Sequence, residues 1–269
     1  MPGIKVLLAT PPMTQINTPY PATAYLGGFL KKHSIEFSQK DMGLELFLSL
    51  FSRSGLEKVK DQLEDRYERN NEEKPASRSV RYFFKNASEI LKLIDPVVRF
   101  LQGKDPTLSY SLCRQGFLPE GPRFKVLKDW EKQGDGELFW AFGALGNQDR
   151  AKYLASLFID DLTDVIREGI DPRFELSRYG EKLAASAPSF DPLLEALYQT
   201  PTLVDRLLDS LWREALEKER PDVLALSLPF PGNVYAAFRM AKLTKELFPK
   251  VKIAVGGGYV NTELRELQD

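Results

Sequence analysis

The chain has 269 residues, and its 37 basic and 38 acidic side chains leave a formal net charge of -1. This near-neutral balance carries no basic field of the kind that binds nucleic acid or an anionic membrane. The single cysteine, Cys113, and the single histidine, His33, exclude an internal disulfide and a two-histidine metal site. No run approaches the roughly 18 apolar residues of a membrane span, so the sequence is typical of a cytoplasmic protein.

The first 41 residues predict a β-α-β unit. An apolar run over 4–10 indicates a strand, 23–32 a helix and the alternating run 35–41 a second, edge-side strand. The Gly27-Gly28 pair is expected to let the helix lie close to the sheet. Between strand and helix stands PPMTQINTPYP, with four prolines and no glycine, whereas a phosphate-binding Rossmann turn would need glycines. A phosphate cradle is therefore not expected at this turn.

Residues 42–220 show helical periodicity and no convincing strand. Capping signals divide the periodic blocks, with Ser79 and Asp149 as expected N-caps and Pro201 in the first turn of the last block. Since a structureless connection of this length is improbable, we expect a helical insertion, residues 43–219, that interrupts a doubly wound sheet. The predicted helical blocks are Leu44–Tyr67, Val80–Leu101, Phe124–Lys132, Ala151–Arg167, Leu193–Gln199 and Pro201–Glu219.

Residues 221–261 predict a second β-α-β unit. Its strands, 222–228 and 252–255, are continuous apolar runs, so we expect both to be buried on both faces of a parallel sheet. The helix, 234–248, follows Asn233 as a candidate N-cap. A flavodoxin-like parallel sheet has five strands, and the sequence offers four. We therefore expect either a shorter sheet or a fifth strand in a longer parent protein, which the abrupt end of the chain favours.

The turns after the two later strands carry the most informative motif. Ser227-Leu228-Pro229 is followed by 26 residues and then by Gly256-Gly257. This spacing resembles the Ser-x-Leu and Gly-Gly motifs of cobalamin-binding domains, and the surrounding residues are most similar to the N-terminal cobalamin-binding domains of radical S-adenosylmethionine proteins. The resemblance covers about residues 4–41 and 221–267. It implies a Rossmann-like cobalamin-binding domain built from residues 1–42 and 220–269, truncated at its C-terminal end.

The resemblance also implies a binding site. In the family, the serine and the glycines line the slot for the dimethylbenzimidazole tail, because a Cβ would collide with it. The family's Asp-x-His-x-x-Gly motif is missing after the first strand, and His33 is expected at a helix end, so cobalamin would be held base-off without a histidine ligand. The implied cofactor-binding residues are Pro11, Pro12, Met13, Thr14, Ser227, Pro229, Phe230, Gly256, Gly257, Gly258 and Tyr259.

The family's radical chemistry needs three cysteines for a [4Fe-4S] cluster. Because Cys113 is alone, this chain is not expected to be catalytic by itself. S-adenosylmethionine and the cluster are expected in a barrel that would follow in the parent enzyme. Cys113 is expected to be a buried structural thiol.

Two other functions stay open from the residues. One is a flavodoxin-like or receiver-like domain that binds a flavin or takes part in signalling, although the first turn lacks both the phosphate loop and the acidic magnesium ligands of those folds. The other is a platform whose helical insertion engages a partner through an exposed apolar patch.

Overall fold

The computed structural model describes residues 3–14, 16, 18–69, 75–127, 146–176 and 190–266. The chain forms two compact units, one of Met1–Phe47 with Arg173–Asp269 and the other of Leu48–Pro172. Residues 173–219, which the sequence analysis placed in the insertion, thus group with the sheet. Within the described ranges, no helix combines the length and apolar character needed to cross a membrane.

The first unit contains a four-stranded sheet in which all strands are parallel. Its strands are β1 (Lys5–Thr10), β2 (Glu36–Asp41), β3 (Val223–Ser227) and β4 (Lys252–Gly256). Their order is β2-β1-β3-β4. The predicted parallel α/β sheet is therefore confirmed, and each predicted strand lies within one residue of its expected bounds.

Most helices follow the predicted blocks, but two short helices, Leu108–Leu112 and Gly258–Thr262, were not predicted, and the helix predicted to begin at Ala151 begins at Gly146. The block 44–67 is two helices, because Ser52 starts the second one by accepting a hydrogen bond from the Gly55 amide. Part of the block 124–132 lies outside the described residues. In chain order the helices are α1 (Ala22–Lys32), α2 (Met42–Leu50), α3 (Arg53–Glu64), α4 (Arg78–Leu101), α5 (Leu108–Leu112), α6 (Gly146–Gly169), α7 (Asp191–Tyr198), α8 (Leu203–Glu219), α9 (Val234–Leu247) and α10 (Gly258–Thr262).

The predicted caps are wrong in position. Ser77, not Ser79, caps α4 by accepting a hydrogen bond from the Val80 amide, because Ser79 already lies inside the helix. Asp149 stands in the first turn of α6, which begins earlier, at Gly146. Thr202, rather than Pro201, precedes α8 and forms a reciprocal capping box with Asp205.

Helix α1 packs on one face of the sheet, against β1 and β2. A Cβ on Gly27 would stand 2.6 Å from Cε2 of Phe37, so glycine is needed for this close approach. A Cβ on Gly28 would meet nothing within 4 Å. The expectation that both glycines serve packing is right for Gly27 and wrong for Gly28.

The two faces of β3 differ in burial. Leu224 and Leu226 are buried on one face, whereas Val223 and Ala225 are only half-buried on the face that α1 shares. In β4 only Ile253 is half-buried and the other residues are exposed. The expectation that both strands are buried on both faces is therefore wrong, because β4 lies at the edge of the sheet and α1 packs only on β1 and β2.

Helices α8 and α9 are joined through buried polar groups. The Tyr235 hydroxyl donates a hydrogen bond to Asp205 Oδ1 (2.9 Å), and Arg173 donates to Tyr235 and to Asp205 Oδ2 (both 2.8 Å). The Trp212 indole donates to the Met240 carbonyl oxygen at 3.0 Å. These contacts fix α9, and with it the turn that precedes its first residue.

The described part of the second unit contains helices joined by turns, and no strand. Helix α6 packs against α4 and α5, and α4 packs against α3. Asp161 of α6 is fully buried, and its Oδ1 accepts a hydrogen bond from the Arg123 amide at 2.8 Å. Burial raises the pKa of this carboxyl to about 6.

Candidate functional site

The carboxyl edge of the sheet is the candidate site. The chain leaves β1 toward β2 and leaves β3 toward β4, so the connections diverge from two neighbouring strands. In open parallel sheets, the crevice at such a switch point is where ligands bind. Three turns meet at this edge, namely 11–21 after β1, 228–233 after β3 and 257 onward after β4.

The start of the turn after β1 lies against the turn after β3. Its first four residues, the predicted site residues Pro11, Pro12, Met13 and Thr14, are all buried, with Met13 fully so. The Met13 amide donates a hydrogen bond to the Gly232 carbonyl oxygen at 3.3 Å. The turns after β1 and β3 are thus joined through their backbones.

Asn233 strengthens this junction. Its Nδ2 donates to the Pro11 carbonyl oxygen at 2.8 Å, and the residue has no exposed surface. Asn233 occupies the N-cap position of α9, as predicted, but its side chain makes no capping hydrogen bond. Its Oδ1 is buried and has no hydrogen-bond partner among the described residues. Sequence reasoning missed this role, since the partner lies 222 positions away and leaves no local signal.

The turn after β4 packs directly on the turn after β3. The Leu228 amide donates to the Gly256 carbonyl oxygen at 2.7 Å, and the Tyr259 amide donates to the Leu228 carbonyl oxygen at 3.2 Å. Gly257 has a φ of +124°, and a Cβ there would stand 2.4 Å from that Leu228 oxygen. The backbone itself therefore requires glycine at position 257.

The flanking glycines, Gly256 and Gly258, have more space around them than Gly257. A Cβ on Gly256 would meet nothing within 4 Å, and one on Gly258 would stand 3.2 Å from the Pro229 carbonyl oxygen. Neither has the left-handed backbone that demands glycine. The space above Gly256 is therefore open.

Small residues line this open space on the face that α1 shares. Side chains alternate between the faces of a sheet, and the register pairs Ala225 with Ala254 and Ser227 with Gly256. The four residues therefore lie on one face, in a two-by-two arrangement with no large side chain. Ser227 is buried, Ala225 is half-buried, and Ala254 and Gly256 are exposed. We call this surface, formed by Ala225, Ser227, Ala254 and Gly256, the small-residue channel.

Aromatic side chains lie in and beside the turns at the carboxyl edge of the sheet. Phe230 is 54% exposed, and its ring meets Tyr20 edge-on with the centroids 6.2 Å apart. Tyr259 is half-buried, and burial together with Glu263 raises the pKa of its hydroxyl. Pro229, which directly precedes Phe230, is buried. Tyr20 was missed by the sequence analysis, because nothing local connects it to Phe230.

The remaining titratable residues singled out in the sequence lie elsewhere. His33 follows the last residue of α1, and its ring is 4.4 Å from that of Phe29. Since α1 starts at the carboxyl edge of the sheet, its last turn is at the amino edge, away from the candidate site. Cys113 belongs to the helical unit, where its thiol donates to the Asn147 carbonyl oxygen at 3.4 Å and burial raises its pKa. The residue is only half-buried, so the expectation of a buried thiol is wrong.

Comparison with protein-family models, with curated proteins and with solved structures finds no match. The function therefore has to be inferred from the residues of the chain and their arrangement.

Proposed function

We propose that this chain is the cobalamin-binding module of a radical S-adenosylmethionine enzyme. In this proposal a flavodoxin-like sheet, interrupted between β2 and β3 by the helical unit, holds cobalamin base-off at its carboxyl edge. The radical or methyl-transfer chemistry would take place in a barrel outside this chain, with S-adenosylmethionine and a [4Fe-4S] cluster. Bound cobalamin supplies a cobalt centre that can carry and transfer a methyl group.

The observation that carries the proposal is the small-residue channel. A flat aromatic tail such as dimethylbenzimidazole needs a surface free of large side chains, and burial of its apolar faces would stabilise it. Ala225, Ser227, Ala254 and Gly256 offer such a surface on β3 and β4, beside the switch point between β1 and β3. The strand order β2-β1-β3-β4 agrees with the first four strands of a flavodoxin-like sheet, which supports the same placement.

The surrounding residues fit the roles that the proposal gives them. The exposed ring of Phe230 would contact the edge of the corrin ring. The buried turn with Met13 would hold the turn after β3 in place through its hydrogen bond to the Gly232 carbonyl oxygen. His33 at the opposite edge agrees with binding that uses no histidine ligand.

The test is an absorbance titration of the whole chain with hydroxocobalamin and with methylcobalamin, with a flavin titration in parallel. We expect saturable cobalamin binding with the spectrum of the benzimidazole-detached form. Binding of flavin in place of cobalamin, or binding of neither, would overturn the proposal.

Gly256→Val makes the test specific for the channel. Open space and an ordinary backbone at position 256 mean that the variant should fold normally, yet its isopropyl group would occupy the slot. We expect a loss of cobalamin affinity of at least about tenfold, or about 1.4 kcal/mol. Gly28→Val is the matched control, because a Cβ on Gly28 also meets nothing within 4 Å, and it should bind as the unmodified chain does. Equal affinities of the two variants would exclude the channel as the tail site.

A further inference from the structure

A groove of about 620 Å³ lies at the amino edge of the sheet. It is lined by the connection from α8 to β3, by the connection from α9 to β4 and by Ile4, which directly precedes β1. Ligand pockets in proteins typically have volumes of about 300–1,000 Å³, so the groove is large enough for a small molecule. It lies at the opposite edge of the sheet from the candidate cobalamin site.

The groove is centred below β3, an inner strand of the sheet. Its lining residues precede or begin β1, β3 and β4, and β3 lies between the other two in the strand order β2-β1-β3-β4. A fifth strand, as in a flavodoxin-like sheet, would pair with the outer edge of β4, on the side that faces away from β3. It would therefore not occupy the groove, because both connections that line the groove are complete in this chain.

Apolar residues make up most of the lining of the groove. Among them, Val223, Leu247 and Phe248 are half-buried, and Val251 is buried. The half-buried side chains retain apolar surface that a ligand can cover, and removing this surface from water would stabilise the complex. The groove therefore suits a ligand with an apolar body.

Three cationic side chains line the same groove. Arg220, Lys250 and Lys252 are all exposed, and within the described part of the chain none of them forms an ion pair. The acidic lining residue, Asp222, accepts a hydrogen bond from the Lys5 amide at 2.9 Å through its Oδ2. Three cations and one carboxylate leave the groove with a net positive charge, which is complementary to an anionic group.

Arg220 is held in a position to bind such an anion. Its guanidinium carbon lies 5.0 Å from the centroid of the Phe248 ring, and its Nε donates a hydrogen bond to the Glu217 carbonyl oxygen at 3.0 Å. Its two Nη atoms have no hydrogen-bond partner among the described residues. This end of a guanidinium can donate two parallel hydrogen bonds to one carboxylate.

The backbone at Arg220 is of the type that favours glycine. The residue follows α8 with a φ of +46° and a ψ of +56°, in the left-handed region. Glycine is the usual residue at such a helix end, because a side chain there costs free energy. Replacing Arg220 by glycine should therefore remove the guanidinium without disturbing the fold.

We propose that this groove binds a small molecule with an apolar body and one terminal carboxylate, of the type of a fatty acid of medium chain length. The carboxylate accepts hydrogen bonds from the Nη atoms of Arg220, and Lys250 and Lys252 supply further positive charge. The acyl chain covers the apolar surface of Val223 and Phe248.

The experiment is isothermal titration calorimetry of the whole chain with decanoate below its critical micelle concentration, and with decyltrimethylammonium as the cationic counterpart. We expect saturable binding of decanoate and no saturable binding of the cation. Arg220→Gly should weaken decanoate binding by at least about tenfold, because a charge-assisted hydrogen-bond pair is lost. Lys218→Ala is the matched control and should bind decanoate as the unmodified chain does. It removes an equal charge from an exposed position that does not line the groove.

Urea unfolding of Arg220→Gly should show a free energy of unfolding at least equal to that of the unmodified chain. Lys250→Ala, at another exposed position in the groove, should also weaken decanoate binding. The proposal would be overturned by the absence of saturable decanoate binding, by equal binding of the cation, or by equal affinities of Arg220→Gly and Lys218→Ala. None of these results would affect the proposed cobalamin site, because that site lies at the other edge of the sheet.

Discussion

Replacing Asp205 should destabilise the sheet unit more than any surface acid does. The side chain is 1% exposed and accepts hydrogen bonds from the Tyr235 hydroxyl (2.9 Å), from Arg173 (2.8 Å) and from the Thr202 amide (3.0 Å). Burial and this carboxylate raise the pKa of Tyr235 to about 12, so its hydroxyl remains a donor. Asp205→Ala removes the acceptor of all three donors and breaks the capping box of α8.

The magnitude follows from these contacts. Removing one partner of a buried ion pair costs about 3–5 kcal/mol, and losing an N-terminal cap costs about 1 kcal/mol. Arg173 retains some solvent contact, with 16% of its side chain exposed, so the lower end of the range applies. We expect Asp205→Ala to lower the free energy of unfolding by about 4 kcal/mol, and Asp205→Asn, which keeps an acceptor, by about 2 kcal/mol.

The assay is urea unfolding followed by the fluorescence of Trp212, which lies in the same unit and is fully buried. Trp130 and Trp140 lie outside the described residues and would be changed to Phe. Glu246→Ala is the control, since Glu246 lies in the same unit, forms an exposed pair with Lys242 at 2.9 Å and should cost less than about 0.5 kcal/mol. A cost below about 1 kcal/mol for Asp205→Ala would refute the reasoning.

Two further predictions concern stability. The pKa of Asp161 is raised from 3.8 to about 6, so ionisation of this carboxyl opposes folding. The stability that the protonated carboxyl retains is fully present below about pH 4 and is lost as the pH rises through 6. The free energy of unfolding should fall by about 3 kcal/mol over this range. Asp161→Asn should remove this loss, as urea unfolding of both proteins between pH 4 and 7 would show. Gly27→Ala should destabilise the protein by about 1–3 kcal/mol, because its methyl group would collide with Phe37. Gly28→Ala should stabilise the protein by about 0.5–1 kcal/mol. Equal melting temperatures of the two variants would contradict both predictions.

The sequence alone was sufficient for the strands, most helices and the order of the two β-α-β units. The apolar β-branched runs and the prolines and glycines that bound them are local signals, and strand geometry follows from them. The turns at 227–230 and 256–259 could likewise be placed at one edge, since parallel strands end together.

The tertiary structure decided what depends on neighbours that are distant in sequence. An apolar run such as 252–256 predicts a strand but not whether that strand lies in the middle of a sheet or at its edge. The strand order places it at the edge, where most of its residues are exposed. Gly27 and Gly28 are adjacent in sequence, yet the rotation of α1 about its axis turns only Gly27 toward Phe37. Asn233 has the residue type of a cap, but the Pro11 carbonyl oxygen competes for its side chain, and a partner so far away in the chain leaves no periodic signal.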